Sequence, residues 1–203
     1  MKKFTFLIVS ILTFFSSCTE FSEVESSEDY IEIGVRFPES SSTKRIAIDD
    51  YPDFKSFQQE IGDLVCEGVS PQLVIQDDNH SYLVNLINPC TKRYGCGLIR
   101  EKNVFRIINN KITKAGKNID IDNIQEVVTF LREDILNEGK NPSLSDRAEK
   151  LFYVINYDWE VQVTDQFNVA VLNLIKVHQA LGLTHPFKLL IDSVPPPPPP
   201  PVN

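Results

Sequence analysis

The chain has 203 residues and a formal net charge of -8, with four cysteines and three histidines. Its acidity disfavours nucleic acid as a partner, because nucleic-acid binding depends on cationic contacts to phosphate. The same charge disfavours flat adhesion to an anionic lipid surface unless an acyl anchor holds the protein there. About 165 residues lie between the two terminal segments, enough for one domain with a core or for two small lobes.

Residues 1–17 have the plan of a secretory signal peptide, because two lysines precede a run of about a dozen mostly apolar residues. As a helix this run would span roughly 18 Å, whereas a bilayer core needs about 30 Å, so a cleaved signal is favoured over a permanent spanning helix. The sequence FSSC at residues 15–18 resembles the lipobox of bacterial lipoproteins, with Phe in place of the usual Leu. The resemblance implies that Cys18 is lipidated and begins the mature protein. An ordinary secretory signal and an uncleaved anchor are the alternatives.

Residues 18–29 form an acidic segment after the signal, with five carboxylates and no basic residue. Such a composition predicts a flexible tether, because it cannot bury enough apolar surface to become ordered. A surface-sorting signal is the other interpretation. With residues 1–17 removed, 18 basic residues face 28 acidic ones. These features predict a lipid-anchored protein of the bacterial cell envelope, with the outer membrane favoured over the inner one.

Three cysteines lie beyond Cys18 in a chain that is expected to enter an oxidising compartment. Cys90 and Cys96 flank a short polar segment, so a loop staple between them is the favoured pairing, worth roughly 2 kcal/mol in the chain-entropy model. Cys66 would then be an unpaired thiol in the core. A bridge from Cys66 to one of the other two, or three free thiols, are the alternatives. The spacing does not predict a zinc site.

The apolar pattern of the first half of the domain predicts strands around one helix. Alternation predicts strands, and helical spacing between Pro52 and Gly68 predicts a capped amphipathic helix whose N-terminus lies beside three aspartates. The polar turn at residues 77–80, including His80, separates two apolar runs and predicts a hairpin with a solvated tip. The predicted strands are 30–37, 44–48, 73–75, 82–87 and 104–108, and the helix spans 53–66.

The second half alternates strands and helices. Asp122, with Gln125 three residues on, predicts the cap of a helix that ends at Gly139. A continuous apolar strand follows at 151–155, then a helix at 164–181 and a last strand at 187–191. The sequence therefore predicts an α+β fold, a mixed sheet with about three helices, in a domain spanning 30–193. Division into lobes 30–100 and 101–193 is the alternative.

Residues 194–203 contain seven consecutive prolines. Proline donates no backbone hydrogen bond and cannot continue a helix, so the run predicts a polyproline II rod of roughly 22 Å. The rod is interpreted either as a stiff extension without a role or as a ligand for an aromatic-lined groove on a partner.

Candidate site residues are few. The chain has no nucleophile elbow, no glycine-rich dinucleotide motif and no zinc-protease motif, so we expect no catalytic residues, cofactor or metal. Tyr157, Asp158 and Trp159 follow a strand at its carboxyl end, where α/β sheets place ligands, and are the candidate ligand-binding residues. His178, on a helix, is interpreted as a boundary residue, and His185 is placed in a loop before Pro186.

From residue 104 onward the chain resembles the periplasmic domain of the ExbD/TolR family of energy-transducing proteins. The matching segments are FRIINNKI, the helix from Asp122, LFYVINYD, the helix ending ALGL, and FKLLID running into the prolines. The resemblance implies the fold and a role in binding a partner protein. It does not imply the family's proton channel. That channel needs a membrane-spanning helix with a proton-binding Asp, whereas residues 1–19 contain no Asp or Glu.

These observations predict a non-enzymatic envelope lipoprotein whose domain binds another envelope protein. A lipoprotein that captures a sugar or peptide is the alternative, and a hydrolase with a dispersed site is a third hypothesis. A flat surface would favour the first, an aromatic cleft near 157–160 the second, and a nucleophile with its base and orienting group the third.

Overall fold

The computed structural model describes residues 29–35, 42–87, 100–157 and 164–193. Three helices and nine strands lie in this part of the chain. The helices are α1 (Phe54–Cys66), α2 (Ile124–Ile135) and α3 (Thr164–Ala180). The strands are β1 (Tyr30–Ile33), β2 (Thr43–Ile46), β3 (Ser70–Gln76), β4 (Ser81–Asn85), β5 (Val104–Ile108), β6 (Lys111–Lys114), β7 (Lys117–Asp120), β8 (Phe152–Tyr157) and β9 (Leu189–Ser193).

Helix α1 confirms the helix predicted at 53–66. Asp53 caps it, because its Oδ1 accepts a hydrogen bond of 2.7 Å from the Ser56 backbone N–H. The same bond holds the pKa of Asp53 below its usual value. Phe54 and Phe57 are buried on the inner side of the helix, as the helical spacing predicts.

Helix α2 begins one residue later than predicted. Asn123, not Asp122, is the cap, and it both accepts from the Glu126 backbone N–H and donates to the Glu126 carboxylate. Asp122 instead accepts a 2.9 Å hydrogen bond from Asn173 of α3. The prediction was wrong because Asp122 and Asn123 are both suitable capping residues, and the tertiary contact with Asn173 engages the Asp122 side chain. The helix ends at Ile135 and not at Gly139.

The strands form two mixed sheets, in agreement with the predicted α+β class. The first has the order β1-β4-β3-β2 and the second the order β7-β6-β5-β8-β9. Strands β3 and β4 form the predicted antiparallel hairpin. Strands β8 and β9, which precede and follow α3 in the chain, pair in parallel. Parallel neighbours need such a crossover connection, which confirms the β-α-β unit.

The two sheets meet where β1 ends. The predicted strand at 30–37 stops at Ile33. Gly34 then has φ +102°, a backbone conformation that residues with a side chain rarely adopt. A Cβ at Gly34 would lie 2.9 Å from the Asn85 carbonyl oxygen and 3.3 Å from that of Phe187. Just beyond, Leu86 forms a parallel bridge with Leu189 of β9. Gly34 therefore lets β1 leave β4 where β9 approaches it.

One hydrophobic core lies beneath both sheets. It contains inward-facing residues of each sheet together with residues of all three helices. The ring of Phe54 in α1 lies 5.4 Å from that of Tyr157 and 6.1 Å from that of Phe167, and the ring of Phe57 lies 5.5 Å from that of Phe167. The halves 30–100 and 101–193 thus share a core within the described residues.

Strands β6 and β7 were not predicted. The turn Asn109-Asn110 was, and both residues have positive φ values. A second tight turn at Ala115 and Gly116 then returns the chain as β7, the edge strand of the second sheet. Four-residue strands rich in Lys, Asn and Asp carry little alternation, so the local sequence does not show them.

Cys66 was expected in the core, but it is exposed at the last position of α1, and its thiol has no disulfide partner within the described residues. Helix α1 turns Phe57 and Leu64 inward, so the residue two positions after Leu64 faces solvent. Among the residues that the structure describes, no helix is long and apolar enough to cross a membrane.

Candidate functional site: the α2–β8 loop

Most of the site residues predicted from the sequence lie outside the described residues. These are Cys18, Cys90, Cys96, Asp158 and Trp159. Tyr157 is described, and its side chain is fully buried between Phe54 and Phe167, with its hydroxyl donating to Asn110. Burial raises the pKa of this hydroxyl. Tyr157 is therefore a core residue, and its ring presents no face to a ligand.

The hairpin tip at residues 77–80 is exposed, as predicted. The Asp77 carboxylate accepts hydrogen bonds from the backbone N–H groups of Asn79 and His80, at 2.9 Å and 2.8 Å. These bonds lower the pKa of Asp77. The carboxylate therefore stabilises its own turn, which accounts for an aspartate at this position without a ligand.

His178 is the most perturbed histidine. Its Nε2 lies 3.2 Å from the carbonyl oxygen of His185, which can only accept, so Nε2 carries the proton. Nδ1 is then the acceptor for the Tyr153 hydroxyl at 3.3 Å. The neutral ring is satisfied on both nitrogens, and burial lowers its pKa to about 4. Its surroundings are aromatic, which indicates a structural role.

The least expected feature is the connection between α2 and β8, residues 136–151, which we call the α2–β8 loop. The sequence shows it only as a polar stretch, and its regular structure is limited to the single 3₁₀ turn Ala148–Lys150. Connections of this length inside a compact domain are uncommon and are usually functional or disordered. This one is held by a dense set of hydrogen bonds.

The loop anchor consists of Lys114 of β6, Asp134 of α2 and Ser145 of the loop. The lysine and aspartate side chains are 4% and 0% exposed, and their charged atoms lie 2.7 Å apart. Lys114 Nζ also donates to Ser145 Oγ at 2.9 Å, and Ser145 Oγ donates to Asp134 Oδ2 at 2.6 Å. The Ser145 backbone N–H completes the set with a 3.0 Å bond to Asp134 Oδ1. Every charged atom of the anchor therefore has a partner, as a buried ion pair requires.

The anchor brings together a serine, a lysine and an aspartate, residue types that form a nucleophilic site when a substrate can reach them. Ser145 is 0% exposed, and its hydroxyl is engaged by the anchor. Burial lowers the pKa of Lys114, an effect that its bond to Asp134 opposes. These contacts fix the loop and leave no approach for a substrate.

Two further clamps hold the loop on either side of the anchor. Asn137 donates to the carbonyl oxygens of Asn141 and Ser145 and accepts from the Asn141 N–H. Asn103 accepts from the Asp146 N–H at 2.9 Å. Asp146 also pairs with Lys102, which lowers the pKa of the Asp146 carboxyl. The loop is thus fixed to α2, to β6 and to the turn before β5.

The outer surface of the loop carries an exposed apolar side chain. Leu136, directly after α2, is 64% exposed, the highest value among the exposed large hydrophobic residues of the described chain. The residue before it, Ile135, lines a depression of about 410 Å³ together with Glu138, Asp146, Arg147, Ala148 and Glu149. Four of these lining residues are charged, so most of the lining residues are polar.

Within the described residues, no group of three or more His, Cys, Asp or Glu side chains is arranged to hold a metal ion. Sequence reasoning missed the α2–β8 loop because its contacts join residues far apart in the chain. The only local signal is the loop's length between two clear elements. No protein-family model matches this chain, and no match was found among curated proteins or solved structures.

Proposed function

We propose that this protein is a non-enzymatic lipoprotein of the bacterial cell envelope, attached to the membrane through Cys18, and that its α+β domain binds another envelope protein. The α2–β8 loop is the proposed contact surface. The proposal combines the lipobox-like sequence at residues 15–18 with the geometry of the loop.

One observation carries the binding role: a long loop is held rigid by buried polar contacts while it presents Leu136 to solvent. Burying a charged pair and a serine costs desolvation free energy, and the contacts do not enlarge the core. A fixed loop loses little conformational entropy when a partner binds, so preorganisation increases affinity. The arrangement suits a surface selected for recognition.

The resemblance to the ExbD/TolR periplasmic domain supports the same role. The resemblance rests on the sequence order strand, polar turn, helix, strand, helix and strand, and this chain adds β6 and β7 between β5 and α2. The second hypothesis, capture of a sugar or peptide, receives less support because Tyr157 is buried.

Photocrosslinking in the native envelope tests the contact surface. We place a photoreactive phenylalanine analogue at Leu136 or Lys140 of the loop, and at the exposed Gln59 of α1 as a matched control. We expect one protein adduct from both loop positions and none from position 59. Equal adducts from all three positions, or none from the loop, would contradict the proposal.

A second variant separates binding from folding. Leu136→Asp adds a charge at an exposed position, so we expect a change in the free energy of unfolding within about 0.5 kcal/mol. We expect the crosslink from Lys140 to fall at least tenfold. Mass spectrometry of the mature protein tests the anchor, because the proposal requires an acylated N-terminus at Cys18.

A further inference from the structure

The loop anchor holds an amine against a carboxyl group in a site that solvent does not reach. Lys114 Nζ lies 2.7 Å from Asp134 Oδ2, and the two side chains are 4% and 0% exposed. The buried ring of Phe105 lies beside them, with its centroid 5.7 Å from Nζ. An amine and a carboxyl group are the two reactants that form an amide bond. Because Oδ2 is bonded to Cγ, this contact places the nitrogen next to the carbon that it would attack.

Ser145 links the two reactants through a single hydroxyl group. Its Oγ accepts a 2.9 Å hydrogen bond from Lys114 Nζ and donates a 2.6 Å bond to Asp134 Oδ2. The carbonyl oxygen of Lys102, at 3.1 Å, is the more distant acceptor for the same hydroxyl. The two shorter bonds form a path along which a proton can pass from the amine to the carboxylate. An ion pair needs its charges satisfied, but it does not need such a path.

The backbone of Ser145 supplies a further group that amide formation uses. Its N–H donates to Asp134 Oδ1 at 3.0 Å. When a nitrogen adds to a carboxyl carbon, negative charge develops on the oxygen that stays, and a fixed N–H donor stabilises this charge. Oδ1 is therefore suited to remain as the amide carbonyl oxygen, and Oδ2, bonded to the hydroxyl, is suited to leave.

Burial favours the neutral forms of both groups, which are the reactive ones. Only a neutral amine can attack, and only a protonated carboxyl group can lose water. Burial lowers the pKa of Lys114, although its bond to Asp134 opposes this effect. Reactants held in contact need no encounter step, which corresponds to an effective concentration of roughly 10⁵–10⁸ M. Exclusion of water from the site also protects the product from hydrolysis.

We propose that Lys114 and Asp134 join in an intramolecular amide bond, with Ser145 as the proton relay. One proton passes from Nζ through Ser145 Oγ to Oδ2, which leaves both groups neutral. Nζ then attacks Cγ and forms the new C–N bond. A second proton follows the same path, and the Cγ–Oδ2 bond breaks as Oδ2 leaves with both protons as water. The step needs no oxidant and no other reactant.

The bond ties the end of β6 to α2 and makes the loop anchor permanent. It closes a ring of residues 114–134, which contains β7 and most of α2. The α2–β8 loop is then fixed beside a covalent link, which keeps the proposed contact surface in place. The bond itself depends on no partner and on no attachment through Cys18, so its test is independent of the proposed function.

Peptide mapping of the unchanged full chain tests the bond. Trypsin does not cleave after an acylated lysine, so we expect the denatured chain to yield residues 112–117 joined to residues 133–140. The mass of this fragment should be lower by one water than that of the two peptides together. Cleavage after Lys114 without a joined fragment overturns the proposal.

Lys117 and Glu133 are the matched control within the same chain. Their charged atoms lie 3.0 Å apart between β7 and α2, but both side chains are about half exposed. We expect cleavage after Lys117 and no fragment joined through this pair, because water reaches it. Equal joining through Lys117 would show that contact alone is sufficient, and it overturns the role of the buried site.

A second measurement tests Ser145. The chain is made by cell-free synthesis, the folded fraction is isolated by gel filtration, and the joined fragment is measured at a fixed time. We expect Ser145→Ala to lower the joined fraction at least tenfold. Ser143→Ala, which changes an exposed serine of the same loop, should match the unchanged chain. Equal joined fractions in the two variants overturn the relay role of Ser145.

Discussion

Two clusters of polar side chains in this domain, one buried and one partly buried, differ in whether they contain charged groups. The loop anchor keeps Lys114 and Asp134 in contact at 2.7 Å, with Ser145 bonded to both. In the second cluster, the His178 ring instead bonds to the Tyr153 hydroxyl and to the carbonyl oxygen of His185, and burial holds the pKa of His178 near 4. A buried charge is tolerated where a complementary charge and hydrogen bonds are supplied, and is removed where they are not.

Removing one partner of the loop anchor should give the largest effect. Asp134→Ala leaves the Lys114 ammonium buried with Ser145 alone, so we expect a loss of about 3–5 kcal/mol in the free energy of unfolding, measured by urea denaturation. Glu133→Ala is the matched control, because its pair with Lys117 is about half exposed, and such pairs contribute roughly 0–1 kcal/mol. Equal losses in the two variants would show that the anchor is not a coupled buried pair.

The neutral cluster predicts a pH dependence. The folded-state pKa of His178 is about 4, below the value of roughly 6.5 for an unfolded chain. The unfolded state therefore binds more protons between these values, and the free energy of unfolding falls as the pH drops through this window.

Partial solvent access reduces the contribution of His178 to about 1–2 kcal/mol. The pKa of His185, which touches His178, is also lowered by burial and acts in the same direction. His178→Gln should flatten the pH profile of urea denaturation, whereas His80→Gln, in the exposed hairpin tip, is the control. An unchanged slope in His178→Gln would contradict a neutral buried ring.

The smallest expected effect is that of a single hydroxyl. Tyr153→Phe removes the donor to His178 Nδ1 and keeps the ring packing on Phe187, so we expect a loss of about 1 kcal/mol. Tyr51→Phe is the control, since it removes a hydroxyl and keeps the contact of the ring with Phe57, whose centroid lies 5.4 Å away. Thermal unfolding of both variants measures the difference. A Tyr153→Phe protein as stable as the parent would show that this hydrogen bond does not contribute to stability.

Much of the fold could be predicted where the signal is local. Asp53 and the spacing of Phe54, Phe57 and Leu64 specify α1, and the apolar run at 151–155 identifies β8, whose side chains are buried on both faces. The candidate site could not be predicted in the same way. Lys114 lies in a short polar strand, so its sequence context predicts a surface residue. In the structure its side chain is buried beside Asp134 of α2.

The sequence by itself determined the three amphipathic helices and the longer strands, because periodic apolar residues and caps act within a few positions of each other. Tertiary structure alone decided the capping of α2 by Asn123, the junction of the sheets at Gly34 and the burial of Lys114 beside Asp134. Each of these depends on a partner many residues away along the chain. Their free energies depend on desolvation and close packing, which exist only after the distant segments meet.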